Sequence, residues 1–178
     1  PHDRADLITK LAPVEFDQSA KCPAFAKFLS EVFADNENII GFIQRAAGYS
    51  LTTNTDERCL FFLHGRGKNG KTTLVSTLQK MLGDYTTQIS TELLMVQKSQ
   101  QHPTEICDLH GVRFAVACET EHGRRLAESL IKQLAGGEDR LKGRRMRQDP
   151  WEFDSTHKLW LSGNHKPRIV GTEDAVWD

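Results

Sequence analysis

The stretch Phe61-Phe62-Leu63-His64-Gly65-Arg66-Gly67-Lys68-Asn69-Gly70-Lys71-Thr72-Thr73 contains G-x-x-x-x-G-K-[ST], the pattern of a phosphate-binding loop. The apolar run 59–63 before it predicts a buried parallel strand, and residues 71–82 after it predict a helix. That order has a physical reason. Glycines let successive backbone N–H groups wrap a triphosphate, and the helix N-terminus adds the positive end of its dipole. Residues 65–73 are therefore the candidate ATP-binding loop, with Lys71 reaching the β/γ-phosphates and the Thr72 hydroxyl binding Mg²⁺. Gly65, Gly67 and Gly70 also spell G-x-G-x-x-G, the dinucleotide fingerprint. That alternative needs an acid ending a second strand about 20 residues further on. Glu92 lies near that distance, but residues 90–96 predict a helical start, and Lys71 and Thr72 would have no role.

Working outward, residues 1–20 have weak periodicity and read as irregular. A helix is expected over 22–33, with Pro23 in its first turn and Phe25, Phe28, Leu29 and Val32 on one face. A second is expected over 36–47, with Ile39, Ile40 and Ile43 as its stripe and Gly48 as a stop. A polar linker follows at 51–58. The chain thus divides into an N-terminal helical segment, 1–50, and an ATPase core, 51–178. Beyond the 71–82 helix come an extended piece at 86–89, helical patterns at 91–97 and 103–109, and a strand at 112–118. A helix at 124–134, a basic hairpin or loop at 140–153 and a strand at 158–162 complete the core. Helices interleaved with short buried strands predict an α/β fold with a parallel sheet.

The 178 residues suffice for one α/β core, and the net charge of −1 excludes a general polycation. No apolar run approaches membrane-spanning length, and residues 1–20 carry no signal peptide pattern. Cys22, Cys59, Cys107 and Cys118 form no C-x-x-C pair and read as reduced core residues of a cytoplasmic protein. The spacing of His102, Cys107, His110 and Cys118 matches no common zinc pattern. Pro1 at the start and Val176-Trp177-Asp178 at the end read as the limits of an excised fragment.

A triphosphatase also needs a carboxylate at the tip of a neighbouring strand. Glu119 follows the strand over 112–118 and is the candidate to hold Mg²⁺ through water; Glu121 is the candidate general base. Asn164, just past the strand at 158–162, could contact the γ-phosphate or the attacking water, or could be an ordinary turn residue. Residues 124–147 hold eight basic side chains against three acids. Within them Lys142-Gly143-Arg144-Arg145-Met146-Arg147, followed by Trp151 and Phe153, mixes charge with aromatic rings, which suits single-stranded nucleic acid. Arg124 and Arg125 would open a helix whose dipole disfavours them, unless they face a carboxylate or another subunit. Two further readings remain open: a small-molecule or nucleotide kinase with the same loop, and a non-catalytic DNA-binding module with a vestigial nucleotide site.

These strings in this order resemble the helicase domain of the phage/plasmid primase-helicase family, in helicase superfamily three, a branch of the AAA+ ATPases that includes the poxvirus primase-helicase. The resembling strings are residues 65–73, 113–126, 131–137, 145–153 and 158–167, with the helical lead-in at 25–49. The resemblance implies an AAA+-like fold and a hexamer that moves along single-stranded DNA, with ATP and Mg²⁺ bound between subunits in a bacterial host cytoplasm. It makes residues 65–73 the Walker A loop, Glu119 the Walker B acid and Asn164 the sensor. Lys132, Lys142, Arg144 and Arg145 become candidate DNA contacts in a segment leading to a hairpin in the ring channel. The acids read Glu-Thr-Glu where the family has an adjacent pair, and His122 stands where relatives often have another acid. Relatives carry an arginine finger just beyond the position of Trp177, outside these 178 residues.

Overall fold

The computed structural model describes residues 3–97, 104–118, 123–136 and 140–170. In chain order its elements are helices α1 (Pro23–Val32) and α2 (Glu37–Ser50), strand β1 (Leu60–His64), helix α3 (Lys71–Leu82), strand β2 (Thr86–Ile89), the single turn α4 (Thr104–Cys107), strand β3 (Phe114–Cys118), helix α5 (Glu128–Leu134) and strands β4 (Leu141–Gly143), β5 (Trp151–Phe153) and β6 (Lys158–Gly163). Four strands form an all-parallel sheet in the order β1-β6-β3-β2, and β4 and β5 form a separate antiparallel hairpin. The expected mixed α/β architecture, a parallel sheet flanked by helices, is present.

Both sheet faces are covered, and the two-residue period of each strand sorts its side chains between them. Phe61, Leu63, Phe114, Val116 and Trp160 pack with α1, α2 and α3, including Leu29, Ile43 and Leu78. Leu60, Phe62, Ala115, Ala117, Leu159 and Leu161 pack on the other side with Leu94, Leu134, Leu141 and Phe153. The lead-in helices therefore share a core with the sheet. α3 keeps the predicted boundaries because Gly70 (φ +81°) enters it and Gly83 (φ +54°) ends it in left-handed conformations. α2 begins where Asn36 Oδ1 caps the Ile39 N–H, but it runs through Gly48 to Ser50, beyond the expected stop. Tertiary bonds explain the extension: buried Ser50 donates to the Ala46 carbonyl at 2.8 Å and accepts from Trp160 Nε1 at 3.0 Å. Trp160 in turn stacks on Phe61 and Phe114, with ring centroids 4.6 and 5.3 Å away.

Three other expectations change. The helix expected over 124–134 forms only at Glu128–Leu134, because Arg125 bridges Arg168 and Leu126 bridges Met95 in extended pairings. The pattern at 91–97 forms a 3₁₀ turn, Thr91–Leu94. All four cysteines are free, but Cys22 is exposed rather than in the core; Cys107 is buried, and Cys59 and Cys118 are half-buried. Among the described residues no helix is long and apolar enough to cross a membrane, and no metal-binding cluster of His, Cys, Asp and Glu forms. His102 lies outside the described residues.

At the amino ends of the strands, Lys158 is 2% exposed, and its Nζ donates to the Thr52 carbonyl at 2.5 Å beside the Tyr49 ring. Burial, with the Arg113 charge adding, pushes its pKa down to about 8. The hairpin docks here against α4. A Cβ on Gly143 would stand 2.5 Å from Cys107 Sγ and 3.2 Å from the Cys107 backbone nitrogen. We expect Gly143→Ala to destabilise the fold by about 2 kcal/mol through overpacking, read as a lower urea midpoint. An unchanged midpoint would mean that the hairpin lifts off α4 at no cost.

Candidate functional site

Parallel register brings three strand tips into one row. His64 pairs with Gly163, and Ser162 pairs with both Leu63 and Cys118. Whatever follows β1, β6 and β3 therefore emerges at the same carboxyl edge, the usual ligand edge of an open α/β sheet. After β1 comes the 65–73 loop, after β6 comes Asn164, and after β3 come Glu119 and Glu121, which lie outside the described residues together with Thr120 and His122.

Backbone geometry shapes the loop. Lys68 (φ +62°) and Gly70 (φ +81°) turn the chain sharply into α3. Gly70 has a second constraint: a Cβ there would meet Val32 Cγ2 at 2.6 Å and Phe28 at 3.1 Å, so α1 packs directly on the loop. No side chain caps the α3 N-terminus, which leaves its first-turn N–H groups directed at the loop mouth.

Lys71 is the hub. Its Nζ donates to the Gly65 carbonyl (2.6 Å), the Arg66 carbonyl (3.3 Å), Asn69 Oδ1 (2.8 Å) and Asn164 Oδ1 (3.0 Å). The last contact spans 93 residues of chain and joins the β1 and β6 tips. Around this hub lies an open cavity of about 720 Å³, bounded by residues 67–73, Cys118, Ser162, Gly163, Asn164 and His165. That volume lies within the range of small-molecule sites. Thr72 and Thr73 are exposed at its wall. An exposed hydroxyl is a hard-oxygen donor, which fits Mg²⁺ better than a soft metal.

The strand order overturns the dinucleotide alternative. In that fold the acid-bearing second strand lies beside the loop-bearing strand. Here β6 and β3 separate β2 from β1. Glu92 is bound instead by Arg124, whose Nη1 and Nη2 donate to its two carboxylate oxygens at 2.7 and 2.5 Å. That hydrogen bonding, with a further bond from Gln97, holds the Glu92 carboxyl below its ordinary pKa. Arg124 thus faces a carboxylate and opens no helix; Arg125 pairs with Glu128 at 3.9 Å.

The basic candidates lie on α5, on β4 and in the turn after β4. Lys132 is half-buried on α5. In the hairpin ladder Lys142 faces Glu152, on the side opposite Leu141, Gly143, Trp151 and Phe153. Arg144 Nε donates to the Gln148 carbonyl at 3.0 Å, and Arg145 pairs with Asp108 at 3.2 Å. The expected mixture of charge with two stacking rings is corrected at one ring: Phe153 is only 4% exposed, and its ring meets His110 nearly perpendicular at 5.3 Å. A strand places every second residue on the same face, so the rings turn inward while Lys142 turns out.

Residues 63–175 match the model of a protein family described as a family of unknown function, DUF5906. "Putative helicase L207/L206" of Acanthamoeba polyphaga mimivirus is 25% identical over 99% of this chain and 18% of its own length. "Putative helicase 022R" of Frog virus 3 is 29% identical over 85% of this chain and 16% of its own length. The chain thus spans less than a fifth of the curated relatives it matches. The fold is similar to the NrS-1 C-terminal region, with a TM-score of 0.63 and 17% identity over 92% of this chain and 38% of that one.

Proposed function

We propose that this chain, which belongs to the DUF5906 family, is the ATP-hydrolysing core of a helicase that moves on single-stranded DNA. In this reading residues 65–73 form an AAA+-type phosphate-binding loop. The Lys71 ammonium and the first-turn N–H groups of α3 hold the phosphates. Thr72 and Glu119 hold Mg²⁺, which supplies charge neutralisation on the phosphate oxygens. Glu121 accepts the proton of the attacking water, and Asn164 orients that water through its amide. Lys132, Lys142, Arg144 and Arg145 contact DNA phosphates, and the complete protein works as a hexamer with ATP between subunits.

The observation that carries the reading is the 3.0 Å contact between Lys71 Nζ and Asn164 Oδ1 inside a cavity bounded by Cys118. It joins the phosphate loop to a second polar strand tip beside the strand that carries the acids. The direction towards helicase work draws on the names of the viral relatives. The test is ATP hydrolysis by the full-length protein with and without single-stranded DNA. We expect hydrolysis that DNA stimulates. No hydrolysis in either condition would remove the catalytic reading, and hydrolysis indifferent to DNA would turn it towards a kinase-like or stand-alone ATPase.

Arg144→Ala combined with Arg145→Ala is expected to weaken oligonucleotide binding and to reduce the slope of log K against log salt by about 1 to 2. Arg145 keeps one donor on Asp108, whose carboxylate offsets part of its charge, so Arg144 should contribute more. A salt slope equal to that of wild type would take this segment out of the DNA path.

A further inference from the structure

At the amino edge of the sheet, opposite the 65–73 loop, lies a second open cavity of about 520 Å³. Its walls include Lys10, Thr86, Thr87, His110, Arg145 and Trp151. We propose that this cavity holds one nucleotide of single-stranded nucleic acid, its base against Trp151 and its phosphate between Lys10 and Arg145. The proposal rests on the DNA reading above and deepens it, adding Lys10 and Trp151 to the DNA path.

Four observations carry it. First, Trp151 is half-buried, and its partner in the hairpin ladder is Gly143, so no side chain from the opposite strand covers the indole. Phe153 (centroids 4.9 Å apart) and His110 (4.8 Å, nearly perpendicular) pack against the indole and hold its orientation. A ring held in this way costs little entropy when a base stacks on it. Second, the two cations are pre-positioned with donors to spare. Lys10 Nζ donates to the Asp84 carbonyl at 3.1 Å, and an ammonium has three donors. Arg145 uses Nη2 on Asp108, and a guanidinium has five. Third, Thr86, Thr87, Asp108 and His110 give the walls a polar character, which suits the polar edge of a base or a sugar better than an aliphatic ligand. Fourth, the cavity adjoins the hairpin turn that carries exposed Arg144 and Arg147, so positive charge continues outward along a strand path. A stacked base must be unpaired, which selects single strands over duplex.

The strap bearing Lys10 is itself anchored. Leu11 N donates to Asp84 Oδ2 at 3.2 Å, Asp84 N donates to the Leu11 carbonyl at 3.1 Å, and Gly83 has no room for a Cβ beside Pro13. Lys10 is therefore held over the cavity rather than free in solution.

The test is titration of the full-length protein with fluorescein-labelled oligothymidylate at several salt concentrations. Lys10→Ala should weaken binding about threefold and lower the salt slope by about 1, and Trp151→Leu should weaken binding about tenfold with little change in slope. Where Trp151→Leu also lowers the unfolding midpoint, Lys10→Ala decides. An oligonucleotide carrying 5-iodouracil should crosslink to the peptide that contains Trp151. If Lys10→Ala binds like wild type while Arg144→Ala, a change outside the cavity, does not, the cavity is not on the DNA path, though the DNA reading stands. If wild type binds no oligonucleotide, both fall.

Discussion

Lys71→Ala in the full-length protein is expected to reduce ATP hydrolysis by roughly 10²–10³-fold or more, the usual cost of removing one preorganised charge from a reacting centre. The geometry says why this residue and not its neighbours. Lys71 Nζ is bound by the Gly65 and Arg66 carbonyls, Asn69 and Asn164, four oxygens from both walls of the cavity. All four are neutral, so phosphate oxygens can displace them with a net electrostatic gain. Removing the ammonium deletes that gain and also removes the side-chain link from the loop to Asn164. Asn164→Ala removes one contact and leaves the charge, so its effect on turnover should be smaller. A Lys71→Ala protein with an unchanged unfolding midpoint and wild-type turnover would show that hydrolysis happens elsewhere. Loss of turnover with a collapsed midpoint would report folding, and Lys71→Met would then separate charge from packing.

The parts of the fold written in local sequence were legible. Gly70 and Gly83 bracket α3, and each sits in a left-handed conformation that only glycine takes cheaply, so the helix boundaries could be read from two residues. Strands β3 and β6 announced themselves because both their faces are buried and their apolar runs are nearly continuous. What failed was set by distant partners. Gly48 looks like a helix stop until Trp160, more than a hundred residues on, reaches Ser50. Arg124 to Leu126 has a helical look, yet pairing with Met95 and Arg168 draws it out. Strand order was not readable at all, because it depends on which crossover returns to which edge.

The site was legible in the same uneven way. The loop residues and Asn164 lie at strand ends, and a strand end is predictable from the end of an apolar run. That Asn164 meets Lys71 follows from β6 lying next to β1, which only the sheet reveals. Phe153 was misassigned because a three-residue strand gives too little alternation to say which face is inner, and packing against His110 and the core around Leu94 and Leu134 settles that from across the chain. The cavity beside Trp151 had no sequence signal: its walls come from residues 9–10, 86–87, 107–112, 145 and 151.

Acid should destabilise this fold through one side chain in particular. His157 is fully buried, its Nδ1 lies 3.3 Å from Ser155 Oγ, and its Nε2 has no hydrogen-bond partner. Burial, with the neighbouring Lys158 charge adding, pushes its pKa from 6.5 down to about 4. Above pH 6.5 the imidazole is neutral in both the folded and the unfolded chain, and its contribution does not vary with pH. Between pH 6.5 and 4 the unfolded chain takes up a proton that the folded chain refuses, so stability falls as pH falls. Over that window the loss approaches about 3 kcal/mol, a large share of an ordinary domain's total. Below pH 4 both states are protonated and the term levels off. Urea unfolding of wild type and His157→Leu at pH 7.5, 6.5, 5.5 and 4.5 isolates the effect, because the carboxylates titrate alike in both. We expect the stability of wild type to fall more steeply than that of the variant between pH 6.5 and 4.5, by about 1.4 kcal/mol per pH unit. Parallel pH profiles would mean that the imidazole finds a partner or solvent when protonated, and that the amino edge of β6 opens before the rest of the sheet.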